Sequence, residues 1–272
     1  YKDFYFWMGR PELFRYAKGS VYEYPDIFPL IYLKIRVEGV TTFNKIKHLL
    51  VDEMQDYTPV QYTVLGRVFP CRKTILGDAN QSIIPYGSSS ASEISRIFSG
   101  ANYMKLTKSY RSTYEITGFT QKIMPDKEIE VIERHGDRPE IIKCNSRESQ
   151  IKLLKETLSS FKKSGFNSLG IICKTQKQAG RHFETLKEDF PGIFLLTSES
   201  MSFKNGIIIT SVHMAKGLEF DQVVIPDADS KNYHRPIDRG LLYVACTRAM
   251  HKLNVFYTHE CSGFFPREYQ KT

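Results

Sequence analysis

Long apolar runs are missing from this 272-residue chain: no stretch approaches the roughly 20 residues that a membrane-spanning helix needs. The opening YKDFYFWMGRPELF also lacks the apolar middle and cleavage site of a secretory signal, so a soluble chain with no membrane partner is expected. It starts without Met, which reads as a piece of a longer protein. Cysteine is scarce. The five residues Cys71, Cys144, Cys173, Cys246 and Cys261 are odd in number, far apart, and without C-x-x-C or metal-ligand spacing. That excludes a disulfide framework and a zinc site, and suggests reduced thiols in an intracellular protein. None of the 17 glycines is followed by lysine, so the phosphate-binding loop G-x-x-x-x-G-K-[ST] is absent. Internal repeats and low-complexity segments are absent too, although Gly87-Ser-Ser-Ser90 is locally flexible.

What is present belongs to a globular protein. With 41% hydrophobic and 13% aromatic residues, the chain can fill the core of one large or two ordinary domains. Its 38 basic and 30 acidic residues leave a net charge of +8, which favours polyanionic partners without naming one. The clusters Lys162-Lys163 and Arg267 to Lys271 read as solvated faces. Apolar runs of strand length fall at 46–51, 74–76, 102–106, 140–144, 169–173, 207–210, 222–225 and 253–257. Amphipathic stretches at 60–69, 92–98, 113–123, 147–161, 176–188 and 239–249 predict helices between them. Such alternation is the pattern of α/β folds with parallel sheets flanked by helices. Ser90-Ala-Ser-Glu93 and Ser112-Thr-Tyr-Glu115 fit capping boxes. A break near residues 99–101 divides the chain into units 1–100 and 101–272; the first 45 residues are aromatic and irregular.

The segment LLVDEMQDYTPVQ sets Asp52 and Glu53 side by side where an apolar strand ends. Ligands bind at the carboxyl ends of parallel strands, and two carboxylates there can divide phosphate chemistry: Asp52 holds Mg²⁺ while Glu53 orients and deprotonates a water. A plain polar turn after a strand is the alternative. TILGDANQS repeats the arrangement, with Asp78 and then Gln81, whose amide can bond both a terminal phosphate and the attacking water. LTKSYRST offers the Tyr110 ring for stacking and the Arg111 fork for phosphate. IITSVHMAKGLEFDQVVIP has a polar turn with Gly217 between two strands, and RGLLYVACTRAMHKL sets Arg248 at a helix end. Cys246 and Tyr243 on that helix read as packing residues.

These five segments, in this order over about 200 residues, resemble superfamily 1 helicases of the UvrD/Rep type. The first matches their DE-x-Q-D motif and GDANQS their GD-x-x-QS motif; YRST, H-x-AKGLEF and LLYVACTRA match the next three. The resemblance implies two RecA-like domains of the P-loop NTPase type, the first incomplete, with ATP and Mg²⁺ in the cleft between them. It implies Asp52, with Glu53, for Mg²⁺, Glu53 as catalytic base, and Gln81 for γ-phosphate contact. It further implies Tyr110 on adenine, Glu219 on the ribose, and Arg111 and Arg248 as γ-phosphate clamps. Arginines of that kind contribute on the order of 10³-fold or more in rate. Tyr86 falls where these helicases stack an aromatic on a base, yet IIPYG also reads as a turn with a packing tyrosine. His213 and Lys216 lie in a motif that touches single strands; bracing of the loop below the nucleotide is the other reading.

Two departures qualify the resemblance. The phosphate loop lies upstream of DE-x-Q-D in this family, so the chain resembles the C-terminal part of a longer motor and is expected to be inactive in ATP hydrolysis alone. Only about 100 residues separate Arg111 from Ser211, where processive relatives insert a large domain. That spacing, with DYTPVQ and PLIYLKIRVEG, resembles the HelD-like branch, whose members remodel RNA polymerase complexes. The expectation is a HelD-like monomer in the bacterial cytoplasm near the nucleoid, with DNA or DNA/RNA and RNA polymerase as partners. A DNA-translocating helicase is the alternative.

Overall fold

The computed structural model describes residues 24–83, 90–200 and 205–271. The chain forms two compact units, Tyr1–Tyr103 and Met104–Thr272. The first contains α1 (Tyr24–Glu38), β1 (His48–Val51), α2 (Pro59–Val68), β2 (Arg72–Ile75) and α3 (Ala91–Ile97). Strands β1 and β2 are parallel, with His48 opposite Arg72 and Val51 opposite Ile75, so they finish level with each other. Helix α2 starts where Thr58 and Gln61 bond each other's amides reciprocally and Pro59 supplies a first residue whose N–H is not needed. Val51, Tyr62 and Ile94 form the buried centre, with Leu49, Leu65, Ile75 and Phe98 packed around it.

The second unit is built on a seven-stranded sheet in which every pairing is parallel. It comprises β5 (Glu140–Lys143), β6 (Ser168–Cys173), β7 (Phe194–Leu195), β8 (Gly206–Ser211), β9 (Phe220–Ile225), β10 (Ala249–Tyr257) and β11 (Gln270–Lys271). Their order is β11-β5-β10-β9-β6-β8-β7. A separate short pair joins β3 (Lys108–Ser109) to β4 (Glu130–Val131). Helices α4 (Tyr114–Ile123), α5 (Arg147–Phe161), α6 (Gln176–Leu186), the single turn α7 (Val212–Ala215) and α8 (Pro236–Thr247) complete it. Leu169, Ile171 and Cys173 of β6 pack with Leu154 and Leu158 of α5 and Ala179 and Leu186 of α6. The intervening Ile172 is equally buried, as a strand covered on both faces requires. Gly170 makes room for a neighbour: a Cβ there would sit 2.7 Å from the Phe220 ring.

The expected α/β class with helix-flanked parallel sheets is borne out. Several local expectations are not. Residues 102–106 form no strand: Met104 and Leu106 are exposed, and the strand comes later, at β3. Helix α4 is capped by Thr113, whose Oγ1 accepts from Ile116 N–H, because Ser112 Oγ is engaged 2.6 Å from the Ala249 carbonyl. Ser90 does cap α3, but its hydroxyl meets the Glu93 carboxylate, so the box is not reciprocal. The stretch around Arg267 to Lys271 is not merely a solvated face, since β11 pairs there with β5 and Tyr269 packs edge-on against Phe119. Helix α1 was illegible because Pro25 and Pro29 read as breakers; Pro25 falls at the start, where a missing N–H costs nothing.

Candidate functional site

In the first unit the parallel register brings the ends of β1 and β2 together. Leu76 N–H donates to Val51 C=O (2.8 Å), and Met54 N–H donates to Leu76 C=O (2.8 Å), stitching the two exits to each other. Asp52 is exposed just past β1, and its Oδ1 accepts from Glu53 N–H (2.8 Å). Glu53 takes a left-handed backbone conformation, φ 55° and ψ 51°, which costs a non-glycine residue about 1 kcal/mol. Strain of this kind persists where surrounding bonds over-determine it. Gln55 is fully buried and donates from Nε2 to Glu53 Oε2 (2.6 Å). Its Oε1 accepts from Asp78 N–H (3.1 Å) on the opposite exit. Asp78 in turn accepts from Asn80 N–H and from Gln81 Nε2, both at 2.9 Å. Asp52, Glu53, Asp78 and Gln81 thus share one end of the small sheet. Gln55 and Gly77 are the residues that motif reading passed over; a Cβ on Gly77 would sit 2.5 Å from Gln55 Oε1 and from Met54 N.

The second unit gathers three further expected residues. Arg111 Nε lies 2.5 Å from Glu219 Oε1. Arg248 is almost fully buried and donates from Nη1 to the Leu218 carbonyl (3.3 Å), from Nε to Val244 C=O (3.2 Å) and from Nη2 to Thr247 Oγ1 (3.2 Å). Its own carbonyl accepts from Phe220 N–H (2.9 Å). Residues 218–220 are therefore held from both sides, by Arg248 at Leu218 and Phe220 and by Arg111 at Glu219. The Arg111 segment is fastened to the start of β10: Ser112 Oγ bonds Ala249 C=O, Thr113 N–H donates to Met250 C=O (3.2 Å), and Arg134 bonds the carbonyls of Arg111 and Met250. Beside this cluster Tyr110 is 65% exposed, leaving its ring open for stacking.

His213 is exposed on α7, and Lys216 is half-buried in the turn that follows. Gly217 closes that turn at φ 79°, a conformation that favours glycine. Tyr86 lies outside the described residues. Cys246 and Tyr243 are buried, and burial pushes the Cys246 thiol far above its ordinary range, so it is packing and no nucleophile. No helix among the described residues is long and apolar enough to cross a membrane.

A second polar cluster, unannounced by any motif, lies where β6 and β9 end. Lys174 Nζ is 2.8 Å from Oδ1 of the fully buried Asp238 at the start of α8, and Asp238 Oδ2 accepts from the N–H groups of His234 (3.0 Å) and Arg235 (2.9 Å). Nearby, Asp227 accepts from Gln150 Nε2 (2.7 Å) and pairs with His182 Nε2 (2.8 Å). Burial pushes both carboxyl pKa values up, but their partners outweigh it and hold each below the ordinary value. These groups fix the entry to α8, which carries Arg248 at its far end.

Comparison with known proteins points the same way as the motifs. Residues 40–99 match the family model described as the UvrD/REP helicase N-terminal domain, and residues 206–256 match the UvrD-like helicase C-terminal domain. A protein of Acanthamoeba polyphaga mimivirus named as an ATP-dependent DNA helicase is 27% identical over 260 residues, covering 84% of this chain and 37% of the relative. The ATP-dependent DNA helicase UvrD2 of Mycobacterium tuberculosis is 33% identical over 86 residues, 30% of this chain and 12% of the relative. The chain therefore spans little more than a third of the mimivirus relative's length. Among solved structures, the C-terminal domain of a possible DNA helicase from Lactobacillus plantarum WCFS1 matches with TM-score 0.51 and 28% identity, covering 60% of this chain and 98% of that one. These matches support a superfamily 1 helicase of the UvrD/Rep type. The relatives named here are DNA helicases, and the HelD-like branch gains no support from them.

Proposed function

We propose that this chain is a nucleotide-handling part of an ATP-dependent DNA helicase of the UvrD/Rep type, with two RecA-like units. The observation that carries the reading is the pair of level strand exits in the first unit, which set Asp52 and Glu53 beside Asp78 and Gln81. The carboxyl end of parallel strands is where such folds bind ligands. The donor set suits Mg²⁺. No group of three or more His, Cys, Asp or Glu able to cage a metal occurs among the described residues, so an ion would rest on one or two carboxylates and on phosphates, as Mg²⁺ prefers. Bound with ATP, it would neutralise charge on the phosphate oxygens.

In this reading Asp52, aided by Glu53, holds the metal, Glu53 takes the proton of the attacking water, and Gln81 reports whether the γ-phosphate is present. In the second unit Tyr110 stacks on adenine, Glu219 bonds the ribose, and Arg111 and Arg248 neutralise charge developing on the γ-phosphate. Tyr86, His213 and Lys216 are assigned to the single strand.

The test is steady-state ATP hydrolysis by the chain as encoded at full length, alone, with single-stranded DNA, and with RNA polymerase. DNA should stimulate turnover, and Glu53→Gln should lower kcat by about 100-fold or more while the protein stays folded. One observation favours a second reading: residues 111–211 are taken up by α4 to β8 of the second unit itself, leaving no inserted domain. A rate indifferent to DNA and changed by polymerase would favour that HelD-like reading and overturn the first.

A further inference from the structure

We propose that Gln55 is the positioning residue for Glu53, and that through it the orientation of this carboxylate is tied to the strand exit carrying Gln81. The proposal rests on the catalytic-base reading of Glu53. Gln55 touches none of the reacting atoms. Its side chain is fully buried and bridges two chain segments more than twenty residues apart in sequence: Nε2 to Glu53 Oε2 at 2.6 Å, Oε1 to Asp78 N–H at 3.1 Å.

The orientation of that amide follows from its partners. A backbone N–H can only donate and a carboxylate can only accept, so the carbonyl must face Asp78 and the NH₂ must face Glu53. Glutamine alone among the standard side chains of this length offers both. Asparagine is one methylene short of the span, lysine cannot accept, and glutamate cannot donate when ionised. The pocket admits no slack either, because Gly77 presses against Gln55 Oε1 where any Cβ would come within 2.5 Å. Asp78 continues the connection, since its Oδ2 accepts from Gln81 Nε2 at 2.9 Å. Any rearrangement of the Gln81 turn therefore pulls on the Gln55 carbonyl and is felt at the other end of the same rigid amide. Glu53 is sensitive to such a pull because its left-handed backbone is held in place by its surroundings.

Two substitutions separate the two halves of the amide. Gln55→Glu keeps an acceptor for Asp78 but sets a carboxylate against Glu53; Gln55→Leu removes both bonds at similar volume. In the full-length chain, Gln55→Glu should lower kcat by about 10- to 100-fold. KM for ATP and the melting temperature should stay near wild type. Hydrogen exchange of the Asp78 amide, followed without nucleotide, should remain slow in Gln55→Glu and become fast in Gln55→Leu. Gly77→Ala, which crowds Gln55 from outside, should resemble Gln55→Leu. In a Glu53→Gln background, Gln55→Glu should add no further loss of turnover, because it acts through Glu53. Wild-type kcat in Gln55→Glu, unchanged Asp78 exchange in Gln55→Leu, or a parallel fall of kcat, ATP affinity and melting temperature in Gln55→Glu would each overturn the proposal. Turnover untouched by Glu53→Gln would instead remove the catalytic-base reading, and the positioning role with it, while the exchange data would still report the Gln55 to Asp78 tie.

Discussion

Arg248 shows how a single side chain can serve the interior and still be assigned to a phosphate. Its guanidinium lies almost wholly inside the second unit and bonds the Leu218 and Val244 carbonyls, so truncation leaves buried acceptors unsatisfied. Arg248→Ala should therefore destabilise the second unit by about 2 kcal/mol or more in denaturant melts, as well as lower turnover, whereas Arg111→Ala, at a half-exposed ion pair, should affect turnover alone. Asp238 carries a related prediction. Removing one partner of a buried ion pair leaves the other uncompensated, so Asp238→Asn, which strands Lys174, should cost about 3 kcal/mol at neutral pH. Because the Asp238 pKa is depressed by folding, its contribution is complete above the unfolded value of about 4 and is lost as pH falls through the lower folded value. The gap between wild type and Asp238→Asn should thus be constant from neutral pH down to about pH 5 and narrow below pH 4; a gap that widens in acid would contradict the assignment.

At the scale of elements, strand and helix periodicity was legible wherever an apolar face repeats. The core strands β6, β8 and β9 and helices α5 and α6 lie where alternation and amphipathicity put them. Misreadings had specific causes. The run at 102–106 is apolar but has no neighbour to pair with, so hydrophobicity alone did not make a strand. Ser112 looked like a helix cap, but the Ala249 carbonyl, 137 positions away, took its hydroxyl. The candidate site was legible as motifs, because Asp52, Glu53, Gln81, Arg111, Glu219 and Arg248 sit in recognisable strings. The residues that hold them, Gln55, Gly77 and Arg134, were not, since their partners are distant in sequence. One element contact gives a clean test. Gly170 of β6 lies under Phe220 of β9, so Gly170→Ala should overpack the sheet and cost about 1–3 kcal/mol, read as a lowered melting temperature.

The whole molecule is unevenly supported. Among the described residues, the buried centre of the first unit comprises Val51, Tyr62 and Ile94, whereas fifteen residues form the main cluster of the second. Opening should therefore be easier in the first unit. Amides of β1 and β2 are expected to exchange at least about tenfold faster than those of β6 and β8, and equal protection would refute this. Strand exits alone offer no row of amides and lysine to a triphosphate. The 272 residues by themselves should accordingly show no ATP turnover above that of Glu53→Gln, a comparison that a phosphate-release assay can make. The sheet order has a consequence for how the second unit comes into being. With every pairing parallel, no two strands are joined by a simple hairpin, and β5 finds its partners only in β10 and β11, more than a hundred residues later. During synthesis β5 must wait, unpaired, until nearly all of the second unit has left the ribosome. Folding of that unit should be slow for its size, governed by the search for distant pairings, and its nascent chain should depend on chaperones more than its final stability would suggest.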